Sequence, residues 1–329
     1  MDLEAVLTEK AKLIDKELER VFPKKGTPNL NDAVWYHLGT GGKRVRPILG
    51  IITCEALGGD SHKILPFAAA CEIMHNWLLV HDDIEDNDTV RRNQPALWVK
   101  YGTGHAINVG DYMAHKVFEL ILSSRAYGVD EQTTLRLSEI LIDAALKTAE
   151  GQTKDMNLRN SNAPTEHEYM DMVTAKTAHY LTLPMLGGAI IANVDRTIVG
   201  AIREFGVHAG PAFQITDDVL DLTEGKGRRE IGRDIKEGKR SLLVVHCLTK
   251  CSTAEKKKLL EILNRPADKT PDADVRWAVQ LFEKHGSIAY SQKRAEELIG
   301  QAKQRIAATP PALRSVLDEF ADFLIHRKR

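Results

Sequence analysis

Five carboxylates stand within the eight residues from His81 to Asp88, HDDIEDND, directly after an apolar run. A second group, Asp217 to Asp221, repeats the order Asp-Asp-x-x-Asp after another apolar segment. The outer aspartates of the first group, Asp82 and Asp86, are four residues apart, and the second group has the same spacing. On a helix this spacing places both carboxylates on one face, about one turn apart. Each pair could therefore chelate one hard cation.

The donor atoms in these two groups favour magnesium. Oxygen ligands without nearby cysteine, and without a histidine pair at ligand spacing, are typical of Mg²⁺ rather than zinc. Mg²⁺ bound through one or two carboxylates keeps coordination positions open for phosphate oxygens. The alternative is that each group is a solvated helix end. Two copies, each behind an apolar helix, weaken that alternative, as does the macrodipole, which disfavours anions at a helix C-terminus. The sequence therefore predicts metal ions as the main partners of these carboxylates.

Basic residues lie close to both groups along the chain. Gly41 to Pro47, GGKRVRP, places a glycine turn before three basic residues, and Arg91-Arg92 begins five residues after Asp86. Lys176-Thr177 lies in an otherwise apolar stretch. The segment after the second group contains Lys226, Arg228, Arg229, Lys236, Lys239 and Arg240, interleaved with acidic residues. Arg forks and Lys point charges suit phosphate oxygens, although each could alone be a solvated or snorkelling side chain. Together they predict a phosphate-bearing ligand.

The elements that must position these residues are helices. Apolar residues recur at three-to-four spacing without sustained alternation, which predicts an all-α chain of roughly a dozen helices. Several segments would form helices that are apolar on most of their faces, as in the middle of a helical bundle: 64–80, 104–122, 135–149 and 197–222. Since no low-complexity linker or abrupt change in composition divides the chain, we predict a single domain over residues 1–329.

Composition excludes some classes of function. The 329 residues include 45 basic and 46 acidic side chains, so net charge gives no reason to expect binding to nucleic acid. The longest apolar run, 184–194, falls short of the ~20 residues that span a bilayer. The N-terminus, MDLE, has no basic-then-apolar leader, and the four cysteines include no CxxC pair. We therefore expect a cytoplasmic protein with reduced, mostly buried thiols and no transmembrane segment.

In combination, these motifs resemble those of the trans-isoprenyl diphosphate synthases over nearly the whole chain. The match consists of GGKRxRP at Gly41 to Pro47, HxxxLxHDDxxDxxxxRR at His75 to Arg92, the Lys-Thr pair at Lys176-Thr177, the second aspartate-rich motif at Phe213 to Asp221, and GxDxxEGK at Gly232 to Lys239. The joint pattern is far more specific than one Asp-Asp-x-x-Asp group. The resemblance implies an all-α, single-domain bundle of the isoprenoid synthase type with a central active-site cavity. It also implies a homodimer, for which the apolar helices 104–122 and 135–149 are candidate interface elements.

The resemblance further implies the reaction and the role of each residue. Isopentenyl diphosphate would condense with dimethylallyl, geranyl or farnesyl diphosphate by ionisation, condensation and loss of a proton to the released diphosphate. Three Mg²⁺ ions would be bound by Asp82, Asp83, Asp86, Asp217 and Asp221. The allylic substrate would be contacted by Arg91, Lys176, Gln214 and Lys239, with Thr177 and Asp218 in the same catalytic set. Isopentenyl diphosphate would be bound by Lys43, Arg46, His75 and Arg92.

One position departs from the family pattern. Many members have Gly-Lys just before the GxD segment, whereas this chain has Arg228-Arg229-Glu230. Arg229 would then take the substrate-binding role of that lysine or share it with Lys226.

The residues before Asp82 bear on product length. Trp77 and Leu78 lie five and four residues before it, and Met74 lies about one turn further back. A bulky residue followed by an aliphatic one, with no insertion in the motif, resembles the archaeal-type geranylgeranyl diphosphate synthases. We therefore predict geranylgeranyl diphosphate as the product. Because Trp77 is large, a farnesyl or mixed product remains open, as does a role for Trp77 as a plain core aromatic.

Two other functions are compatible with part of the pattern. Class I terpene cyclases share the first acidic motif and the helical fold, but they usually replace the second motif and lack the block containing Lys43 and Arg46. Non-catalytic subunits of heteromeric prenyl synthases typically lose one acidic motif. Both motifs are intact here.

Overall fold

The protein is described by a computed structural model over residues 3–42, 44–223 and 231–326. Within these residues the secondary structure is almost entirely α-helical, which confirms the predicted fold class. The α-helices are α1 (Leu3–Val21), α2 (Asn31–Gly39), α3 (Val45–Ala56), α4 (Ser61–Glu85), α5 (Leu97–Tyr101), α6 (Thr103–Ser123), α7 (Glu131–Leu158), α8 (Glu166–Val173), α9 (His179–Ile191), α10 (Arg196–Leu220), α11 (Arg233–Lys236), α12 (Leu242–Lys250), α13 (Thr253–Leu263), α14 (Asp272–Lys284), α15 (Ser287–Arg305) and α16 (Pro311–His326). Ser124–Tyr127 and Ala267–Lys269 are short 3₁₀ turns, and Thr174–Ala178 is a π-helical segment.

A small hairpin follows α4. The strands β1 (Val90–Arg91) and β2 (Gln94–Pro95) pair antiparallel, with Val90 opposite Pro95. The two loop residues between them, Arg92 and Asn93, have φ angles of 50° and 62°. Positive φ at both central positions is the mark of a type I′ turn, whose twist matches that of the flanking strands. The sequence analysis did not predict this hairpin, because two-residue strands are too short to show alternation.

The chain folds into two compact units. The first comprises Met1–Ala144, Tyr180–Ile202 and Thr309–Val316, and the second comprises Ala145–His179, Arg203–Ala308 and Leu317–Arg329. The prediction of a single domain stays a prediction.

In the first unit α4 packs against α3 and α6. Its N-cap, Asp60, accepts a hydrogen bond from the backbone of His62, which satisfies one of the free N–H groups of the first turn. Gly187 of α9 packs on Phe67, where any larger side chain would overlap the ring. Burial of each large apolar side chain along α4 contributes about 1.5–3 kcal/mol. This packing fixes the C-terminal turn of α4, which carries the first acidic group.

In the second unit the end of α10 is anchored in an apolar cluster. Val219 packs there with Ile235 of α11 and with side chains from α12, α13 and α14. Ser252 and Glu255 form a reciprocal capping box at the start of α13, which defines where that helix begins. Because Val219 lies between the aspartates of the second group, its burial fixes the turn that carries them.

None of the described helices has the length and apolar character needed to cross a membrane. All four cysteines are free thiols; Cys54, Cys71 and Cys247 are buried and Cys251 is half-buried. The cytoplasmic location stays a prediction.

Candidate active site

The first acidic group occupies the last turn of α4. The side chain of Asp82 is 27% exposed, whereas Asp83 is buried at 1% and Asp86 is also buried. The guanidinium of Arg91 donates from Nε to Asp83 Oδ1 at 2.7 Å, and its Nη2 lies 3.4 Å from Asp88 and 3.7 Å from Asp82. Arg91 of the hairpin therefore neutralises part of the negative carboxylate charge for which metal ions were predicted as the main partners. Asp88 was not singled out from the sequence.

Backbone hydrogen bonds fix the segment that follows α4. The N–H of Asp86 donates to Asp82 O at 2.8 Å, and that of Asp88 donates to Asp83 O at 2.7 Å. The indole of Trp98 donates to Asp88 O at 2.7 Å. The turn thus directs the chain straight into β1, and Arg91 returns to the acidic side chains.

Two of the basic residues predicted to bind isopentenyl diphosphate meet in the first unit. Arg46 Nη1 lies 3.3 Å from His75 Nε2, and Arg46 Nη2 donates to the hydroxyl of Tyr180 at 3.2 Å. The rings of His75 and Tyr180 stack with centroids 6.1 Å apart. Burial and the neighbouring Arg46 charge hold the pKa of His75 well below its usual 6.5, so its neutral ring can accept from Arg46. Tyr180 was missed from the sequence.

Arg92, a third member of that set, lies against the glycine turn. Its guanidinium donates to the carbonyl of Gly41, and a Cβ on Gly42 would come within 3.0 Å of the same guanidinium. Gly41 and Gly42 have φ angles of 111° and 137°, which glycine adopts readily. Burial lowers the pKa of Arg92 from its ordinary value. The fourth member, Lys43, lies outside the described residues.

The predicted chain-length residues lie on α4. Met74 is fully buried, and Trp77 and Leu78 are half-buried. Their role in product length stays a prediction.

In the second unit, Lys176 and Thr177 lie in the π-helical segment, a form that occurs frequently at functional sites. Lys176 Nζ donates to Asp155 Oδ2 at 2.8 Å, and Thr177 Oγ1 donates to Gln214 Oε1 at 3.5 Å. Burial alone would raise the pKa of Asp155, but the charges of Lys176 and Arg159 hold it below its usual value. Asp155, which follows Lys154, was only a weak candidate from the sequence and was not among the predicted site residues.

Asp218 accepts hydrogen bonds from two side chains of the second unit. One of its oxygens accepts from the hydroxyl of Tyr169 at 2.8 Å, and the other accepts from Gln214 Nε2 at 2.9 Å. Burial and the charge of Asp218 raise the pKa of Tyr169 well above its ordinary value, so the phenol remains a donor. Since Gln214 also meets Thr177, the chain Tyr169–Asp218–Gln214–Thr177 is continuous. Tyr169 had no signal in the sequence.

Asp221 ties the second acidic group to the GxDxxEGK segment. Its Oδ2 accepts from the backbone N–H of Asp234 at 2.9 Å, and its carbonyl accepts from Gly232 N at 2.7 Å. Lys239 Nζ lies 3.1 Å from Asp234 and 2.8 Å from Glu237. The structure therefore brings Asp221 and Lys239 to the same short stretch around Asp234.

Some predicted residues cannot be placed. Arg229 and Lys226 lie outside the described residues. Asp217, by contrast, is described and is half-buried on the last turn of α10.

The donor chemistry of the acidic groups fits Mg²⁺, because every candidate ligand is a carboxylate oxygen. Across residues 3–42, 44–223 and 231–326, no group of three or more His, Cys, Asp or Glu side chains is arranged to hold a metal ion. The candidate ligands therefore fit Mg²⁺ by the type of their donor atoms.

Comparisons with known proteins identify the family of the chain. Residues 27–282 match the family described as Polyprenyl synthetase. The short chain isoprenyl diphosphate synthase of Methanocaldococcus jannaschii is 35% identical over 316 residues, which cover 95% of this chain and 93% of that protein. The geranylgeranyl diphosphate synthase of Saccharolobus solfataricus is 34% identical over 316 residues, with 94% and 93% covered.

A solved structure shows the same fold. The crystal structure of geranylgeranyl pyrophosphate synthetase from Pyrococcus horikoshii Ot3 matches with a TM-score of 0.90 and 34% identity, covering 99% of this chain and 98% of the other. With both acidic motifs, the basic residues around them and the all-α fold in place, the chain belongs to the polyprenyl synthetase family and is a prenyltransferase.

Proposed function

We propose that this chain condenses isopentenyl diphosphate with allylic diphosphates to make geranylgeranyl diphosphate. The observation that supports this best is that both acidic motifs end long helices beside basic residues. Arg91 donates to Asp83 of the first motif, and Asp221 of the second motif accepts from the backbone of Asp234, whose side chain pairs with Lys239. The two relatives named for geranylgeranyl diphosphate synthesis support the product. A cyclase or a silent subunit would be expected to lack part of this set.

The acidic groups would hold three Mg²⁺ ions through Asp82, Asp83, Asp86, Asp217 and Asp221. When bound, Mg²⁺ neutralises the diphosphate leaving group and so lowers the barrier to ionisation. Arg91, Lys176 and Lys239 would add positively charged donors to the same diphosphate.

Neutral dipoles would stabilise the allylic cation once the diphosphate leaves. Thr177 and Gln214 are within 3.5 Å of each other, and Asp218 orients the Gln214 amide from the other side. Dipoles already fixed in place need no reorganisation when charge develops, which is why such groups accelerate a reaction. Apolar walls would exclude the water that otherwise captures the cation.

Isopentenyl diphosphate would be bound by Lys43, Arg46, His75 and Arg92. His75 is neutral, so it would orient Arg46 and contribute hydrogen bonding rather than charge. Arg92, against the carbonyl of Gly41, would supply a second guanidinium to the diphosphate.

We also propose that the chain is a homodimer. On α6, Leu122 is 64% exposed, and Ile107 and Phe118 are also exposed; on α7, Leu135 is 64% exposed and Ile142 is exposed. Large apolar side chains exposed in this number on two helices are typical of a surface covered by a partner. Light scattering after gel filtration would show a dimer, and Leu122→Lys with Leu135→Lys would shift it to monomer. A wild-type monomer would contradict this proposal without affecting the enzymatic one.

The test of function is an incubation of the purified chain with Mg²⁺, labelled isopentenyl diphosphate and each allylic starter. Products are dephosphorylated and separated by chromatography. Geranylgeraniol as the main product supports the proposal, and its loss on chelation supports the metal requirement. Farnesol would show that the cavity ends before it can accommodate a twenty-carbon chain. Absence of any prenyl product from every starter would refute the proposal.

A further inference from the structure

Arg44 connects three parts of the first unit. It precedes α3 with a left-handed backbone, φ 50°, which is uncommon for a residue with a side chain. Its guanidinium donates to Glu72 Oε1 at 2.9 Å, to Asp15 Oδ1 at 3.2 Å and to Leu38 O at 3.3 Å. A bulky side chain keeps such a backbone conformation only where its surroundings hold it there. The contacts of this guanidinium therefore set where α3 begins.

Glu72 is the buried partner in that set of contacts. Its side chain is 4% exposed, and the same Oε1 also accepts from Asn76 Nδ2 at 2.9 Å. Asn76 is fully buried and bonds the carbonyl of Glu72 as well, at 2.8 Å. A buried carboxylate with charge-assisted donors is costly to disrupt, because loss of one partner leaves the other without compensation. Glu72 thus links the first turn of α3 to the turn of α4 that carries His75.

The surroundings of Glu72 are strongly basic. Besides Arg44, the charge of Glu72 acts on Arg92, where it counters the lowering of the pKa by burial. Arg92 and Arg91 in turn lower the pKa of His37, which burial already depresses, to about 3. Several guanidinium groups thus lie near Glu72, a deeply buried acid on α4. Repulsion among them would push the basic side chains apart if that acid were neutral.

We propose that Glu72 and Arg44 are positioning residues for isopentenyl diphosphate. By fixing the start of α3 on α4, the pair holds Arg46, two residues after Arg44, against His75, three residues after Glu72. This inference rests on the proposed function, since it assumes that Arg46 and His75 bind that substrate. Neither Glu72 nor Arg44 touches the substrate in this scheme. Their effect reaches it through Arg46.

The test is a comparison of Glu72→Gln with a matched control, Glu55→Gln. Glu55 lies on α3 and pairs with Lys10 at 2.6 Å on a more exposed surface. We expect Glu72→Gln to raise KM for isopentenyl diphosphate about tenfold, the size of one charge-assisted hydrogen bond. KM for the allylic diphosphate and kcat should change less than about twofold. Glu55→Gln should leave both KM values at the wild-type level.

An equal rise in both KM values, or no rise in KM for isopentenyl diphosphate, would overturn the inference, because a general structural role gives no such split. Arg44→Lys keeps the charge but loses the fork, and it should give an intermediate rise. If Glu72→Gln fails to fold, Arg44→Lys decides, and an unchanged KM for isopentenyl diphosphate then overturns the inference.

Failure of the proposed function would look different. Calorimetric titration with isopentenyl diphosphate measures binding without turnover. If the wild-type chain binds it and Glu72→Gln binds about tenfold more weakly, the positioning role stands even where no product forms. If both bind equally, the positioning role is refuted whatever the turnover.

Discussion

Removal of the hydroxyl of Tyr169 should lower both the free energy of unfolding and the rate of prenyl transfer. Tyr169 is fully buried, and its hydroxyl donates to Asp218 Oδ2 at 2.8 Å. Tyr169→Phe keeps the ring and deletes only this donor. The other oxygen of Asp218 still accepts from Gln214. The carboxylate is then buried with one donor fewer and is freer to rotate.

The size of the effect follows from the kind of bond. A buried hydrogen bond to a charged group contributes about 1.5–3 kcal/mol, so the free energy of unfolding should fall by about 2 kcal/mol. If Asp218 holds Gln214 in place for the allylic cation, part of that loss appears in the transition state. A loss of 1.4 kcal/mol there corresponds to roughly a tenfold fall in kcat.

Urea unfolding at pH 7 measures the stability loss, and steady-state turnover with geranyl diphosphate measures the catalytic loss. Tyr127→Phe is the matched control. Its hydroxyl donates to Glu17 at 2.6 Å in the first unit, at a half-buried position among residues not assigned to the site. This control should lose a smaller amount of stability and keep wild-type turnover.

Two results would refute the reasoning. A loss of stability with unchanged kcat would show that Asp218 does not position Gln214 for the reaction. Unchanged stability and unchanged kcat would show that the hydroxyl of Tyr169 does not bind Asp218 in solution.

Trp77→Ala should lengthen the main product by at least one five-carbon unit, measured by chromatography of the dephosphorylated alcohols. An unchanged product distribution would show that Trp77 does not limit the length of the product. His37 stays neutral when folded, with a pKa of about 3, while the unfolded chain protonates near 6.5, so stability is lost as pH falls below 6.5. Urea unfolding should show that the free energy of unfolding falls by about 2 kcal/mol between pH 7 and pH 5, and that His37→Gln does not show this fall. An equal fall in both proteins would contradict the prediction. Gly151→Ala should place a methyl group on the backbone of Lys176 and sharply reduce kcat. The control Gly300→Ala adds a methyl group in open space, so it should keep wild-type activity and gain up to about 1 kcal/mol of stability. Equal activities of the two variants would show that the backbone at Lys176 can shift to accommodate the methyl group.

The sequence allowed the helices and the acidic groups to be predicted because both depend on local spacing. Apolar periodicity marked α4 and α10, and the aspartates lie at their C-terminal ends as expected. Arg46 and His75 were assigned to one substrate through the resemblance, and the structure brings their side chains together. Which residues act in the reaction remains a prediction for the whole set.

The remaining contacts depend on tertiary packing and had no local signal. Arg44 and Glu72 are 28 residues apart, and Tyr169 and Asp218 are 49 residues apart. The residues next to a buried tyrosine or glutamate in the sequence do not indicate which distant residue it will contact. The π-helical segment was also not predicted, because a single π turn of five residues is too short to be told from an α-helix by the spacing of apolar residues.

At position 92, in the left-handed turn, stability and activity should favour different residues. A left-handed backbone costs an ordinary residue roughly 1–2 kcal/mol, a cost that glycine does not incur. Random mutagenesis screened only for heat resistance should therefore enrich glycine at position 92, while a screen for prenyl product should discard the same variants. Arginine occupies a conformation here that suits it poorly while its guanidinium donates to the carbonyl of Gly41, so we interpret the hairpin as a support for that guanidinium rather than as an optimised turn.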